Sequence, residues 1–190
     1  MMSMRADAAR NRAKVLEVAY EAFADEGLSV PIDEIARRAG VGAGTVYRHF
    51  PSKEDLYRAV VVERIREIVD QGRALLSDAD PGEALFQYLR LMVLQWGAAD
   101  RGLVDALAGL GIDVKTVVPD AEDEYMEMLD ELLRAAQRAG TARTDVTVAD
   151  VKAILVGCQA MQSYNADVAE RVTGVVFDGL RMSPTSASGL

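Results

Sequence analysis

Residues 31–50 read Pro-Ile-Asp-Glu-Ile-Ala-Arg-Arg-Ala-Gly-Val-Gly-Ala-Gly-Thr-Val-Tyr-Arg-His-Phe, and this stretch decides the fold. Ile32, Ile35, Ala36 and Ala39 recur at spacings of three and four, which puts them on one helix face. Pro31 stands near the start, where its missing N–H costs little. Asp33 and Glu34 fall in the first turn, where negative charge suits the helix dipole. Gly40 follows Ala39 and can take the left-handed conformation that ends a helix. Val41 is apolar within the Gly-Val-Gly turn and can plug the gap between two helices. Ala43 and Gly44 open the next helix with almost no side-chain bulk, which lets a backbone approach base edges or thymine methyls. Thr45, Tyr47, Arg48 and His49 offer donors on one face, while Val46 and Phe50 can face inward. This is the layout of a helix-turn-helix, whose second helix enters the DNA major groove.

Working outward, Pro51 ends the second helix. Ser52-Lys-Glu-Asp then resembles a capping box opening a further helix, with Lys53 placed to meet a phosphate. An ordinary helical hairpin inside an all-α core would give the same alternation of helix and turn signals, because the pattern is degenerate.

The segment Gly-Val-Gly-Ala-Gly-Thr-Val-Tyr-Arg-His-Phe-Pro-Ser-Lys-Glu-Asp-Leu, residues 40–56, resembles the DNA-binding signature of the TetR family, the tetracycline-repressor-like regulators. Residues 13–27, Ala-Lys-Val-Leu-Glu-Val-Ala-Tyr-Glu-Ala-Phe-Ala-Asp-Glu-Gly, resemble the family's first helix, and the likeness is dense over about residues 9–68. The stretch Ala-Asp-Arg-Gly-Leu-Val-Asp-Ala-Leu, residues 99–107, and the layout after it are similar to the SbtR-like C-terminal subgroup. The resemblance implies that Thr45, Tyr47, His49 and Lys53 hold the DNA backbone. It also implies a homodimer and a small-molecule effector that releases the operator.

The net charge of −9 is unusual for a DNA binder, but the first 58 residues are close to neutral and the acidity sits in the remainder. Residues 1–14 carry Arg5, Arg10, Arg12 and Lys14 against Asp7 alone. Such an arm can track phosphates or stay a solvated tail. An acidic body repels DNA elsewhere and would confine contact to one face. No apolar run is long enough to span a membrane, and the N-terminus lacks an apolar signal core. The single cysteine, Cys158, allows no internal disulfide. A cytoplasmic protein is expected.

The helical pattern continues through about nine helices, so an all-α fold is expected: a helix-turn-helix DNA-binding domain over 9–68, an effector-binding and dimerisation domain over 69–182, and a disordered tail over 183–190. The first helix is expected over about 8–27, and others over 32–39, 43–50 and 53–76. Asp80-Pro81-Gly82-Glu83 reads as a new start, giving a helix over about 81–98 that is apolar almost all round. A short helix over 101–109 and a possible loop over 110–118 follow. Pro119 opens a helix to about Ala139, stopped by Gly140. Thr147-Val-Ala-Asp150 resembles a capping box for a helix over 148–162, and a last helix covers 165–181.

The last two helices carry apolar faces wider than one partner layer needs. Ile154, Leu155, Cys158 and Met161 on one, with Val168, Val172, Val175 and Val176 on the other, are expected to form a homodimer interface, a four-helix bundle shared by two subunits. Gly157, Gly174 and Gly179 inside these helices fit close helix approach. Tight crossings within a monomeric core would account for the same pattern. Met92, Gln95 and Trp96, with Tyr125, Met126 and Leu129, can line a small-molecule pocket or simply pack as core.

Enzyme chemistry is not expected. His49, the only histidine, already belongs to the helix-turn-helix, and no Cys/His cluster has metal-ligand spacing. No metal or cofactor is implied. The DNA contacts expected are Arg38, Ala43, Gly44, Thr45, Tyr47, Arg48, His49 and Lys53, acting on a double-stranded palindromic operator. The reading that results is a dimeric transcriptional regulator, a repressor by preference. An activator, or a helical interaction protein whose helix-turn-helix ignores DNA, would share much of the pattern.

Overall fold

The computed structural model describes residues 2–95, 103 and 118–182, with side chains except at 2–5, 95, 162, 163 and 166. The helix expected over 101–109 and the tail over 183–190 lie outside these residues, Leu103 apart. So does most of the expected loop over 110–118. Among the described residues the chain forms eight α-helices and no strand: α1 (Met2–Glu26), α2 (Ile32–Ala39), α3 (Ala43–His49), α4 (Lys53–Asp78), α5 (Ala84–Arg90), α6 (Pro119–Arg138), α7 (Val148–Tyr164) and α8 (Ala166–Leu180). The expected all-α architecture is observed.

Local chemistry explains several helix ends. Gly40 sits at φ 67°, where its N–H bonds to the Arg37 carbonyl at 3.2 Å and that of Val41 to the Ala36 carbonyl at 3.0 Å. This pair of bonds closes the last turn of α2, and a left-handed backbone at that point favours glycine. Gly140, at φ 73°, closes α6 in the same way, with bonds to Gln137 and from Thr141 to Ala136. At the start of α4 the Asp55 carboxylate accepts from the Ser52 N–H and hydroxyl, while the Asp55 N–H donates back to that hydroxyl. Thr147 and Asp150 form the same reciprocal cap on α7.

Two elements differ from expectation. α1 begins at Met2 rather than near residue 8, because Arg5, Ala6, Ala8 and Ala9 are good helix formers and nothing breaks the run. The expected basic arm is therefore helical. The helix expected over 81–98 begins only at Ala84, after a turn over 81–83. The Gly82 N–H bonds to the Asp80 carboxylate at 2.8 Å, and its carbonyl accepts the Thr141 hydroxyl at 2.6 Å. A Cβ on Gly82 would meet Thr141 Cγ2 at 2.7 Å, so that turn is pinned from outside. After Arg90 the coil widens into a π-helical turn, Leu91–Gln95, and the Met92 carbonyl accepts from Gln159 Nε2 at 3.4 Å.

The described residues fall into two compact units, one of residues 2–67, 103 and 118–122 and one of residues 68–95 and 123–182. The core of the first gathers Leu16, Ala19 and Phe23 of α1, the inner faces of α2 and α3, and Leu56, Tyr57 and Val60 of α4, with Leu103 and Val118. The Phe23 and Tyr57 rings meet edge to face at 4.5 Å, and the Tyr57 hydroxyl donates to the Leu28 carbonyl at 2.6 Å. Burial of each such ring contributes about 1.5–3 kcal/mol. It also pushes the Tyr57 phenol up to about 12.

The second unit packs Leu85, Phe86, Tyr88, Leu89, Met128, Leu132, Leu155 and Phe177 into its core. Arg181, just after α8, forms two 2.8 Å bonds to Glu83 and lies 3.8 Å over the Phe86 ring. That staple fixes the end of α8 to the start of α5. Gly72 is buried where α4 crosses α6, and a Cβ there would collide with the Met128 side chain.

Candidate nucleic-acid interface

α2 buries Ile32, Ile35, Ala36 and Ala39, which fixes its rotation. α3 is shorter and buries Val46, with Phe50 one turn later at its C-terminal cap. Because these two lie four residues apart, the opposite face of α3 is turned to solvent. Gly44, Tyr47 and Arg48 share that outer face and are exposed, Tyr47 at 46%. Thr45 and Ala43 are half-buried at its flanks, and His49 is exposed. Val41 packs partly buried against the core, in the turn between the two helices.

Lys53 follows in the first turn of α4 and is half-buried. Burial holds its amine below the ordinary lysine value. A cation at a helix N-terminus faces the positive end of the dipole, which adds to the cost of its charge. Neither Lys53 nor Arg48 has an acidic partner among the described residues. Seven of the eight expected DNA contacts thus lie on one continuous stretch, Ala43–Lys53.

Arg38 is different. Its Nε donates to Glu34 at 2.8 Å and its Nη2 to Glu26 at 3.1 Å, with a further Nη1 bond to Glu26. Glu34 also takes two bonds from Arg37, at 2.8 and 2.7 Å. The hydrogen bonds from Arg37, and then from Arg38, hold the Glu34 carboxyl down to about 2. Its own bonds to Glu26, then to Glu34, raise the Arg38 guanidinium above its ordinary value.

The basic residues of α1 are partly engaged as well. Arg12 lies 5.7 Å over the Phe50 ring and 3.7 Å from Glu63, and Arg10 pairs with Asp7. A groove of about 730 Å³ between α1 and α4 is lined by Arg10, Lys14, Tyr20, Glu63, Arg64 and Glu67 among others. Its charges are mixed, and Arg64 stacks on Tyr20 at 5.3 Å.

Of the expected pocket residues, Met92 and Leu129 are buried in the second unit, while Tyr125 and Met126 are half-buried. The Lys152 amine lies 5.9 Å over the Tyr125 ring. Trp96 and the side chain of Gln95 lie outside the described residues.

Of the expected interface residues, Leu155 and Cys158 point into the unit's own core. Burial pushes the Cys158 thiol up, and the neighbouring Thr173 hydroxyl pulls it the other way. Ile154, Met161, Val168, Val172 and Val176 are half-buried. Val175 is 67% exposed. Sequence reasoning missed two further apolar residues, Val156 at 48% exposure and Tyr164 at 92%. The signal was present: Ala149, Ala153, Val156, Gly157, Ala160 and Tyr164 recur at helical spacing along the outer face of α7.

Among the described residues no group of three His, Cys, Asp or Glu is placed to hold a metal ion, and no helix is long and apolar enough to cross a membrane.

Comparison with known proteins adds to this geometry. Residues 15–60 match the family model for bacterial regulatory proteins of the tetR family, and residues 80–182 that for the SbtR-like transcriptional regulator C-terminal domain. The chain is similar to a TetR transcription regulatory protein of Mycobacterium vanbaalenii, at 59% identity over 94% of this chain and 99% of that one, with a TM-score of 0.81. It is also similar to a TetR transcriptional regulator of Streptomyces coelicolor, at 34% identity over 91% of this chain and 99% of that one, with a TM-score of 0.76. An HTH-type transcriptional regulator of Staphylococcus aureus is 36% identical over 40% of this chain and 41% of its own length. The chain spans about half the length of the curated relatives it matches.

Proposed function

The chain belongs to the TetR family of bacterial transcriptional regulators, and from that premise we propose that it binds a palindromic operator as a homodimer and represses transcription until a small molecule releases it. The observation that carries this reading is the outer face of α3. Gly44, Tyr47 and Arg48 stand clear of the core, and Lys53 adds a half-buried cation at the next helix start. In this reading Thr45, Tyr47, His49 and Lys53 meet phosphates, and Arg48 with the small pair Ala43 and Gly44 lies near bases. The DNA-binding domain spans 9–68 and the effector and dimerisation domain 69–182.

The dimer is assigned to the outer faces of α7 and α8. On α7, Val156 and Tyr164 are exposed apolar side chains beside Ala153, Gly157 and Ala160, whose small size lets a second helix pair approach closely, and Val175 is an exposed apolar side chain on α8. Effector release requires a ligand that binds the free form better than the DNA-bound form. Met92, Tyr125, Met126 and Leu129, with Gln95 and Trp96, are the residues assigned to it.

A gel shift with DNA upstream of the chain's own gene, at two salt concentrations and with competitor DNA, tests the reading. Retention that resists both competitor and moderate salt supports it. If neither that fragment nor random DNA is retained, it fails.

A further inference from the structure

On the premise that α3 reads DNA, we propose that Arg38 is a positioning residue and not a phosphate contact: it clamps the end of α2 to the end of α1 and so sets the direction in which α3 is presented. Glu26 is the last residue of α1 and Arg38 the penultimate residue of α2. Their side chains meet through two hydrogen bonds across twelve residues of sequence. A third bond, from Arg38 Nε to Glu34, ties the guanidinium to its own helix. The clamp therefore acts two residues before Gly40, where the chain turns into α3.

Charge argues in the same direction. Arg37, Arg38, Glu26 and Glu34 sum to zero. A phosphate approaching Arg38 would meet a guanidinium already shared between two carboxylates, both of which repel it. Arg48 and Lys53 carry no such neighbours among the described residues. An isolated exposed ion pair contributes little, but a guanidinium bound to two carboxylates in a network is the arrangement in which such pairs acquire fixed geometry. An angular error of this kind falls on base contact, which needs register, and spares general attraction to the backbone.

The test uses the full chain and its operator, with Arg38→Met, Glu26→Gln and their double variant titrated against operator and non-specific DNA over a salt series. Arg38→Met keeps the aliphatic packing and removes the charge. It is expected to lower operator affinity about tenfold while leaving non-specific affinity and the salt slope unchanged. Glu26→Gln should lower operator affinity too, although it removes a negative charge from a DNA-binding unit. The double variant should be no worse than Arg38→Met alone, because both remove the same clamp.

A salt slope reduced by about one in Arg38→Met would make Arg38 a phosphate contact and overturn the proposal. So would tighter operator binding by Glu26→Gln, or no change in either variant. If Arg38→Met does not fold, Glu26→Gln and Arg38→Lys decide the matter in the same assay. A wild-type chain that retains no DNA overturns the DNA reading itself, and this inference with it, and the wild-type titration alone reveals that case.

Discussion

Lys53 holds a charge at a helix N-terminus, and partial burial already keeps its amine below the ordinary value. A phosphate relieves both costs. Lys53→Ala is expected to weaken operator and unrelated DNA alike and to flatten the salt slope by about 0.9, as removal of one released counterion requires. Affinity titrations over a salt series measure it, and an unchanged slope removes Lys53 from the phosphate contacts. Glu34 gives a pH dependence. Its carboxyl is lowered from 4.5 to about 2 by Arg37 and then Arg38. A depressed folded value stabilises fully above the unfolded value and is lost as pH falls through the folded one. The Glu34 share of the network should therefore be lost between about pH 4.5 and 2, and Glu34→Gln should flatten the acid-unfolding curve of the wild type there. Curves of equal steepness would count against the network. At this scale the sequence revealed whatever is local. Gly40, Ser52 with Asp55, and Thr147 with Asp150 all act within four residues. The role of Arg38 was hidden because Glu26 lies twelve residues away on another helix.

Helices were legible where one face alone is apolar. α2 matched its expected bounds, and α3 and α6 nearly did, because their apolar residues repeat on a single stripe and a cap or breaker stands at an end. α7 was harder. It is apolar on two faces, so periodicity marked Leu155 and Cys158 without revealing that they face inward while Val156 and Tyr164 face out. The turn over 81–83 depends on Thr141, fifty-nine residues from Gly82, and no local pattern could announce it. The element with the clearest mechanical consequence is the α2–α3 turn. Gly40→Ala forces a Cβ into the left-handed region at φ 67° and is expected to cost about 1–2 kcal/mol. Denaturant unfolding measures this. A variant as stable as wild type would mean that the turn can relax without its left-handed residue.

Across the whole molecule, the acidic balance and the all-α pattern were readable from composition and spacing, but the assembly was not, since a monomer's sequence does not say which apolar face meets a second copy. The proposed dimer makes Val175→Glu informative. Two buried carboxylates facing each other across a two-fold axis would cost far more than the interface can absorb. Light scattering should then give the monomer mass where the wild type gives the dimer, with operator affinity falling in parallel. An unchanged dimer would move the interface elsewhere. The measurement that tests the central claim most directly is selection of bound sequences from random duplex DNA by the full wild-type chain. Two inverted half-sites whose centres lie about one helical turn, or a multiple of one, apart are the expected result, each read by one α3. Enrichment of nothing, or of a single motif with no inverted partner, would contradict it.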